Sequence, residues 1–298
     1  AYSYLGTSGG LRGTIKVSGA WALYPMMVKW AEEYQKIHPE INFEVSAGGA
    51  GKGMADALAG LVDIGMVSRS IYQEEIQKGA YYVAVTEDAV VATINQDNPV
   101  LNEILAKGLT NQTFYNIYIS GNVATWGQVV GRSEVTDEIH VYTRSDACGA
   151  AETWANYLGK RQEDLLGVGV YGDPGLSEAV RTDRLGIGFN NIGYAYDTTT
   201  KNQVQGIVVV PIDVNNNGQI DSWEDFYSTK TNIVEAIGSG VYPHPPARNL
   251  YLVTKGKFTG LTKEFVRWIL TEGQKYVDEV GYVPLSSDVI DEQLRKLE

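Results

Sequence analysis

The feature that most limits what this chain can fold into is a pair of strand–helix–strand units in direct succession, pivoting on the glycine-rich turn Ala47-Gly48-Gly49-Ala50-Gly51-Lys52-Gly53. Residues 14–18 alternate like a strand. Pro25 then opens a helical stretch with Met27, Trp30, Ala31, Tyr34 and Ile37 along one face. Proline is well tolerated there, because the N–H it lacks has no partner in a first helical turn. After the break at His38-Pro39-Glu40, Ile41, Phe43 and Val45 alternate as a second strand. The glycine turn leads into a helix with Met54, Ala57, Leu58 and Leu61 on one face, and residues 62–67 form a third strand. Such units predict a parallel sheet whose ligand-bearing loops lie at the strand carboxyl ends.

The rest of the chain extends this α/β pattern. Residues 89–95 read as an apolar strand running into the polar loop 96–99, a crossover to a second lobe. Residues 139–142 deliver Thr143-Arg144-Ser145-Asp146-Ala147-Cys148-Gly149 into a helix over about 150–158. A strong strand at 206–212 precedes an Asn-rich loop, 249–254 reads as a return strand, and amphipathic helices near 262–270 and 288–297 finish the chain. A length of 298 residues suits about two domains. The expected fold is two-lobed, with mixed sheets flanked by helices and the second lobe inserted in the first. Lobe I would comprise 14–94 and 248–298, and lobe II 95–247.

Composition removes several function classes. The 36 acidic against 24 basic residues give a net charge of -12, which repels nucleic acid and anionic lipid. The single cysteine, Cys148, excludes an intrachain disulfide. No run is long enough to span a bilayer, and mean hydropathy is -0.18. Residues 1–13 show neither the basic nor the apolar region of a secretion signal. The 19 tyrosines and 6 tryptophans amid Asn-, Gly- and Thr-rich loops nevertheless favour an extracytoplasmic setting.

The run Asp213-Val214-Asn215-Asn216-Asn217-Gly218-Gln219-Ile220-Asp221-Ser222-Trp223-Glu224 follows the EF-hand calcium-loop pattern. Asp213, Asn215, Asn217 and Asp221 supply oxygens at the first, third, fifth and ninth places, Gln219 a backbone carbonyl and Glu224 a bidentate carboxylate. Gly218 permits the sharp turn. An Asn/Asp-rich surface turn is the plainer alternative. A single unpaired loop points to structural Ca2+ and away from a switching sensor.

Small residues open a helix at three places: Ser18-Gly19-Ala20-Trp21-Ala22, Gly48 to Gly53, and Ser145 to Gly149. N–H groups at a helix start are unpaired and carry partial positive charge, so converging starts make an anion cradle without catalytic residues. Arg69 and Arg144 lie near two of them and can balance the anion's charge.

On these residues the chain resembles the phosphate-binding protein family, the solute receptors of phosphate ABC importers, which have the type II periplasmic-binding-protein fold. The resemblance runs through Val17-Ser18-Gly19-Ala20-Trp21-Ala22-Leu23-Tyr24-Pro25, the 48–53 turn and Val62-Asp63-Ile64-Gly65-Met66-Val67-Ser68-Arg69. It continues at Thr125-Trp126-Gly127-Gln128-Val129, at Arg144 to Gly149, at Gly186-Ile187-Gly188-Phe189 with Gly193-Tyr194, and at Asn249-Leu250-Tyr251-Leu252-Val253-Thr254. It implies two lobes closing on an oxyanion that is passed to an ABC permease in the membrane, with no enzymatic step and a monomeric receptor. It also implies a ligand shell of Trp21, Ala22, Ala50, Gly51, Ser68, Arg69, Arg144, Asp146, Cys148, Gly149 and Ala150. Against the family pattern, Trp21 replaces a hydroxyl residue, Ala50 a serine, and Cys148 and Ala150 a serine and a threonine. At about 1 kcal/mol per hydrogen bond, four lost hydroxyls weaken binding by several powers of ten. Backbone N–H groups survive those changes.

Trp21 reads either as a flat wall for a larger ligand or as an aromatic that fills part of the cleft. Cys148 beside Arg144 reads as a space-filling substitute for serine rather than a nucleophile, since no general base accompanies it. His38, His140 and His244 are scattered. The leading expectation is an extracytoplasmic receptor for phosphate or a related oxyanion. The alternative is a repurposed sensor or surface domain with a different anionic ligand, and an enzyme using Cys148 or metal ranks below both.

Overall fold

A computed structural model describes residues 11–298. The reading of 1–13 as lacking a secretion signal therefore lies largely outside the described residues. Among the described residues, nine strands form one continuous pairing path, β2-β1-β3-β9-β4-β7-β5-β6, with β8 joined to β4. The strands are β1 Gly13–Gly19, β2 Ile41–Ala47, β3 Ile64–Val67, β4 Ala80–Asn95, β5 His140–Arg144, β6 Val168–Val170, β7 Gly186–Asn191, β8 Ile207–Val209 and β9 Ala247–Lys255. As the strand–helix–strand units predict, β1 runs parallel to both β2 and β3. β5 likewise runs parallel to β6 and β7, and β4 and β9 are antiparallel to their neighbours. The mixed α/β, two-lobed architecture expected from the sequence is borne out.

β4 holds the two halves together. Its first part pairs with β9 from Ala80 to Ala89, and its last part pairs with β7 from Val90 to Ile94 and with β8 from Thr93 to Asn95. The passage between sheets thus lies inside β4, not in the loop 96–99 that the sequence pointed to. Two cores follow the same division. One gathers Ile15, Met26, Trp30, Val83, Leu252 and Phe265, and the other Val91, Phe114, Trp154, Phe189 and Ile233.

Two helix faces were drawn too long from the sequence. The helix Tyr24–Ile37 buries Met26, Met27, Trp30, Ala31 and Tyr34, whereas Ile37 at its last turn is 57% exposed. The helix Ala50–Ala59 buries Met54 and Ala57, but Gly60 turns left-handed at φ 71 and ends it. Leu61 then falls beyond the helix and is 68% exposed. The strand expected over 206–212 pairs only as Ile207–Val209. Pro211 has no N–H to extend the ladder, and Val210 and Ile212 donate instead to Ala92 O and Tyr227 Oη.

Candidate functional site

The carboxyl ends of β1, β2 and β3 face those of β5, β6 and β7, and the sequence-predicted ligand residues collect in the seam between them. Gly48 and Gly49 both donate their N–H to Gly19 O, which folds the glycine turn back onto the end of β1. A Cβ on Gly49 (φ 94) would lie 2.9 Å from Ala147 O and 3.2 Å from Asp146 Oδ2, so only glycine lets the lobes approach there. Gly51 N donates to Ala147 O across the seam at 3.1 Å. The start of the helix Ala50–Ala59 is thereby pressed against the loop that opens the helix Gly149–Tyr157. Ala22, Ala50, Ser68, Gly149 and Ala150 are all buried at this junction.

Arg144 is completely buried at its side chain and clamped by carboxylates. Its Nε and Nη2 donate to Asp146 at 2.8 and 2.6 Å, and Nη1 donates to Asp173 at 2.7 Å. Burial opposes the charge, but Asp173 and Asp146 more than offset it and raise the guanidinium above its ordinary value. Asp173 also accepts from Asn191 N at 3.1 Å and from Asn190 Nδ2. The sequence reading missed Asp173, although the run Gly172-Asp173-Pro174-Gly175 carries a turn signal.

Arg69 points elsewhere. Its two Nη atoms grip both oxygens of Glu75 at 3.0 and 2.7 Å, and its guanidinium stacks 4.2 Å from the Tyr72 ring. A carboxylate six residues on thus already balances the charge offered as an anion partner. Arg69, Tyr72, Gly51, Cys148, Glu152 and Arg161 line a cavity of about 230 Å³ at the rim of the seam. Tyr72 Oη donates to Glu152 there at 2.7 Å, bonding lobe to lobe.

Cys148 caps its helix, with Sγ accepting from Ala151 N at 3.4 Å. Burial pushes its thiol up to about 12, against the pull of Arg144, which disfavours the thiolate that a nucleophile needs at neutral pH. Trp21 stands edge-on to Tyr171, centroids 6.1 Å apart, and its carbonyl accepts from Tyr194 Oη at 3.1 Å. The ring lies at the seam, against the second lobe.

A buried arginine that the sequence reading overlooked ties the lobes behind the site. Arg248 on β9 pairs across the ladder with Asp88 on β4 at 2.8 and 3.2 Å. It also donates to Ser68 O at 2.8 Å, to Thr153 Oγ1 at 3.1 Å and to Asn191 Oδ1.

The loop Asp213 to Glu224 lies away from the seam and is closed by its own carboxylates. Asp213 accepts from Asn217 N and Gly218 N, and Glu224 from Val214 N and Asp221 N. The side-chain amides of Asn215, Asn217 and Gln219 converge on Asp221 at 2.8 to 2.9 Å. Ile220 anchors the loop by packing on Gly108 and donating its N–H to Ala106 O. Among the described residues, no group of three or more His, Cys, Asp or Glu side chains is arranged to hold a metal ion. No described helix is long and apolar enough to cross a membrane.

The fold and the seam between its lobes are those of a two-lobed binding protein. The chain belongs to the family of the PBP superfamily domain, whose model matches residues 6–272. Phosphate-binding protein PstS of Bacillus subtilis is 23% identical over 276 residues, covering 92% of this chain and 81% of that one. PstS of Pseudomonas aeruginosa is 25% identical over 319 residues, covering 97% and 88%. Among solved structures, a Clostridium perfringens substrate-binding protein with bound phosphate superimposes with a TM-score of 0.74 at 22% identity, covering 92% of this chain and all of that one. An ABC-type phosphate transport receptor from Vibrio cholerae gives 0.65 at 23% identity, covering 90% and 99%. The family resemblance read from the sequence is borne out.

Proposed function

We propose that the protein is an extracytoplasmic, non-enzymatic receptor for phosphate or a related oxyanion, acting as a monomer and delivering its solute to an ABC permease. The observation that carries this is the buried Arg144 between Asp146 and Asp173, set where the helices Ala50–Ala59 and Gly149–Tyr157 start against one another. Arg144 has five N–H groups and three are engaged, so two remain for an anion. Helix starts add partial positive charge where the ligand hydroxyls are missing. The names of the relatives supply the solute class and the transporter. The two jaws are the sheet of β1, β2, β3 and β9 with the first part of β4, and the sheet of β5 to β8 with its last part. The boundary therefore falls inside β4 near Ala89 and Val90 and not at residue 94.

The test is calorimetric titration of dialysed protein with inorganic phosphate and with sulfate. Saturable heat with phosphate supports the reading, and none with either anion removes it. Binding also raises stability by RT ln(1 + [L]/Kd), about 2.7 kcal/mol at a hundredfold excess over Kd.

We also propose that the loop of Asp213, Asn215, Asn217, Gln219, Asp221 and Glu224 takes a structural Ca2+. In support, Asp213 and Glu224 are buried at its two ends and the amides already converge on one point. A half-turn of each Asn amide presents oxygen in place of nitrogen.

A further inference from the structure

We propose that the indole N–H of Trp21 is a direct hydrogen-bond donor to the bound oxyanion, and so a residue that sets affinity at the site. The inference rests on the anion-receptor reading and adds to it the donor that replaces a missing hydroxyl.

Trp21 Nε1 is buried and has no hydrogen-bond partner. Other tryptophans place this atom differently: Trp30 Nε1 donates to Gly273 O at 2.9 Å and Trp126 Nε1 to Leu185 O at 3.1 Å. Trp154 Nε1 is unpartnered too, but its ring is stacked inside the second lobe against Phe189 and edge-on to Phe114. Trp21 is the case that lies at the seam. The ring edge bearing Nε1 rests on Gly172, where a Cβ would meet Cζ2 at 3.3 Å and Cε2 at 3.4 Å. Gly172 N in turn donates to Asp146 Oδ1 at 3.1 Å, and Asp146 grips Arg144. Tyr194, which holds the Trp21 carbonyl, has its hydroxyl within the fields of Asp173 and Arg144. The unpaired donor is thus linked to the buried guanidinium through Gly172 and Asp146.

An indole N–H donates and cannot accept. Nearby carboxylates are engaged: Asp146 with Arg144 and Gly172, Asp173 with Arg144 and Asn191. A tetrahedral oxyanion brings acceptor oxygens and no donor requirement at that edge, which resolves the unpaired N–H when it binds.

The substitution Trp21→Phe keeps an aromatic ring against Gly172 and Tyr171 and removes the N–H. Phosphate titrations of wild type and W21F, followed by calorimetry and by the indole N–H resonances of wild type, test the inference. The expected result is a Kd about tenfold or more higher in W21F, with one wild-type indole resonance moving on phosphate addition and missing from the W21F spectrum. Should W21F not fold, the wild-type resonances decide. Equal affinity in W21F, or indole resonances that all stay put at saturating phosphate, overturns the inference and leaves the receptor reading standing. Wild type that takes up neither phosphate nor sulfate overturns both, and is recognised by the absence of heat with either anion.

Discussion

Gly149 of the second lobe stands directly on Ser68 of the first, so close that a methyl group on Gly149 would overlap both the hydroxyl and the carbonyl of Ser68. The contact belongs to neither core. It exists only where the lobes meet. Gly149→Ala should therefore act on closure, at about 1–3 kcal/mol of overpacking. Scattering should show a larger radius of gyration, and phosphate affinity should fall tenfold or more. An unchanged radius together with unchanged affinity would count against a closing seam.

Arg144→Met removes the cation from between Asp146 and Asp173 and leaves two buried carboxylates facing each other. Breaking such a pair costs about 3–5 kcal/mol. Urea denaturation should register most of that loss, and adding Asp173→Asn should return part of it while anion binding stays lost. A double variant no more stable than R144M would show that Asp173 is not the partner that matters.

Cys148 should resist alkylation in the native protein at pH 8 and react in urea, since burial pushes its thiol up to about 12. Cys148→Ser puts a better acceptor at the helix cap, worth about 0.5–1 kcal/mol, and adds a hydroxyl at the seam. Its phosphate affinity should rise. Rapid native labelling by iodoacetamide would contradict the first expectation.

Lys230 starts the helix Lys230–Gly238, and its Nζ donates across the lobes to Val280 O at 3.0 Å, near Lys201, Asp88 and Asp197. Burial first, then Lys201, lowers its pKa to about 8 from 10.5. A depressed lysine binds its proton less well folded than unfolded, so stability from this group rises with pH between those values. Below pH 8 both states hold the proton and the penalty is constant. Relative to Lys230→Met, wild type should gain up to about 3 kcal/mol between pH 8 and 10.5. A stability difference that is flat in pH would refute it.

Calcium added to chelator-treated protein should raise Tm, and Glu224→Gln should abolish the rise while leaving phosphate affinity unchanged. At a hundredfold excess over Kd the gain is about 2.7 kcal/mol. Identical melting with calcium and with chelator would reduce the loop to a self-bonded turn.

The parallel units at the start of the chain were legible because period and punctuation agree there. Pro25 opens one helix and Gly60 ends the next. Arg144 and Asp146 were legible because they precede a helix start in a recognisable run. The partners that decide their charge were not. Glu75 reaches Arg69 from a short helix, and Asp173 reaches Arg144 from 29 residues away. Arg248 meets Asp88 at a separation of 160 residues, a contact set by strand register alone. Hydrophobic spacing reports which face is buried but not which charge arrives from the other lobe.

Since β4 is one backbone serving both sheets, neither half owns a complete set of neighbours without it. A protease nick among its sixteen residues would unseat an interior strand from two cores in a single event. Resistance of that segment to digestion thus gauges the integrity of the whole molecule, and a split placed there should not yield two fragments that fold independently.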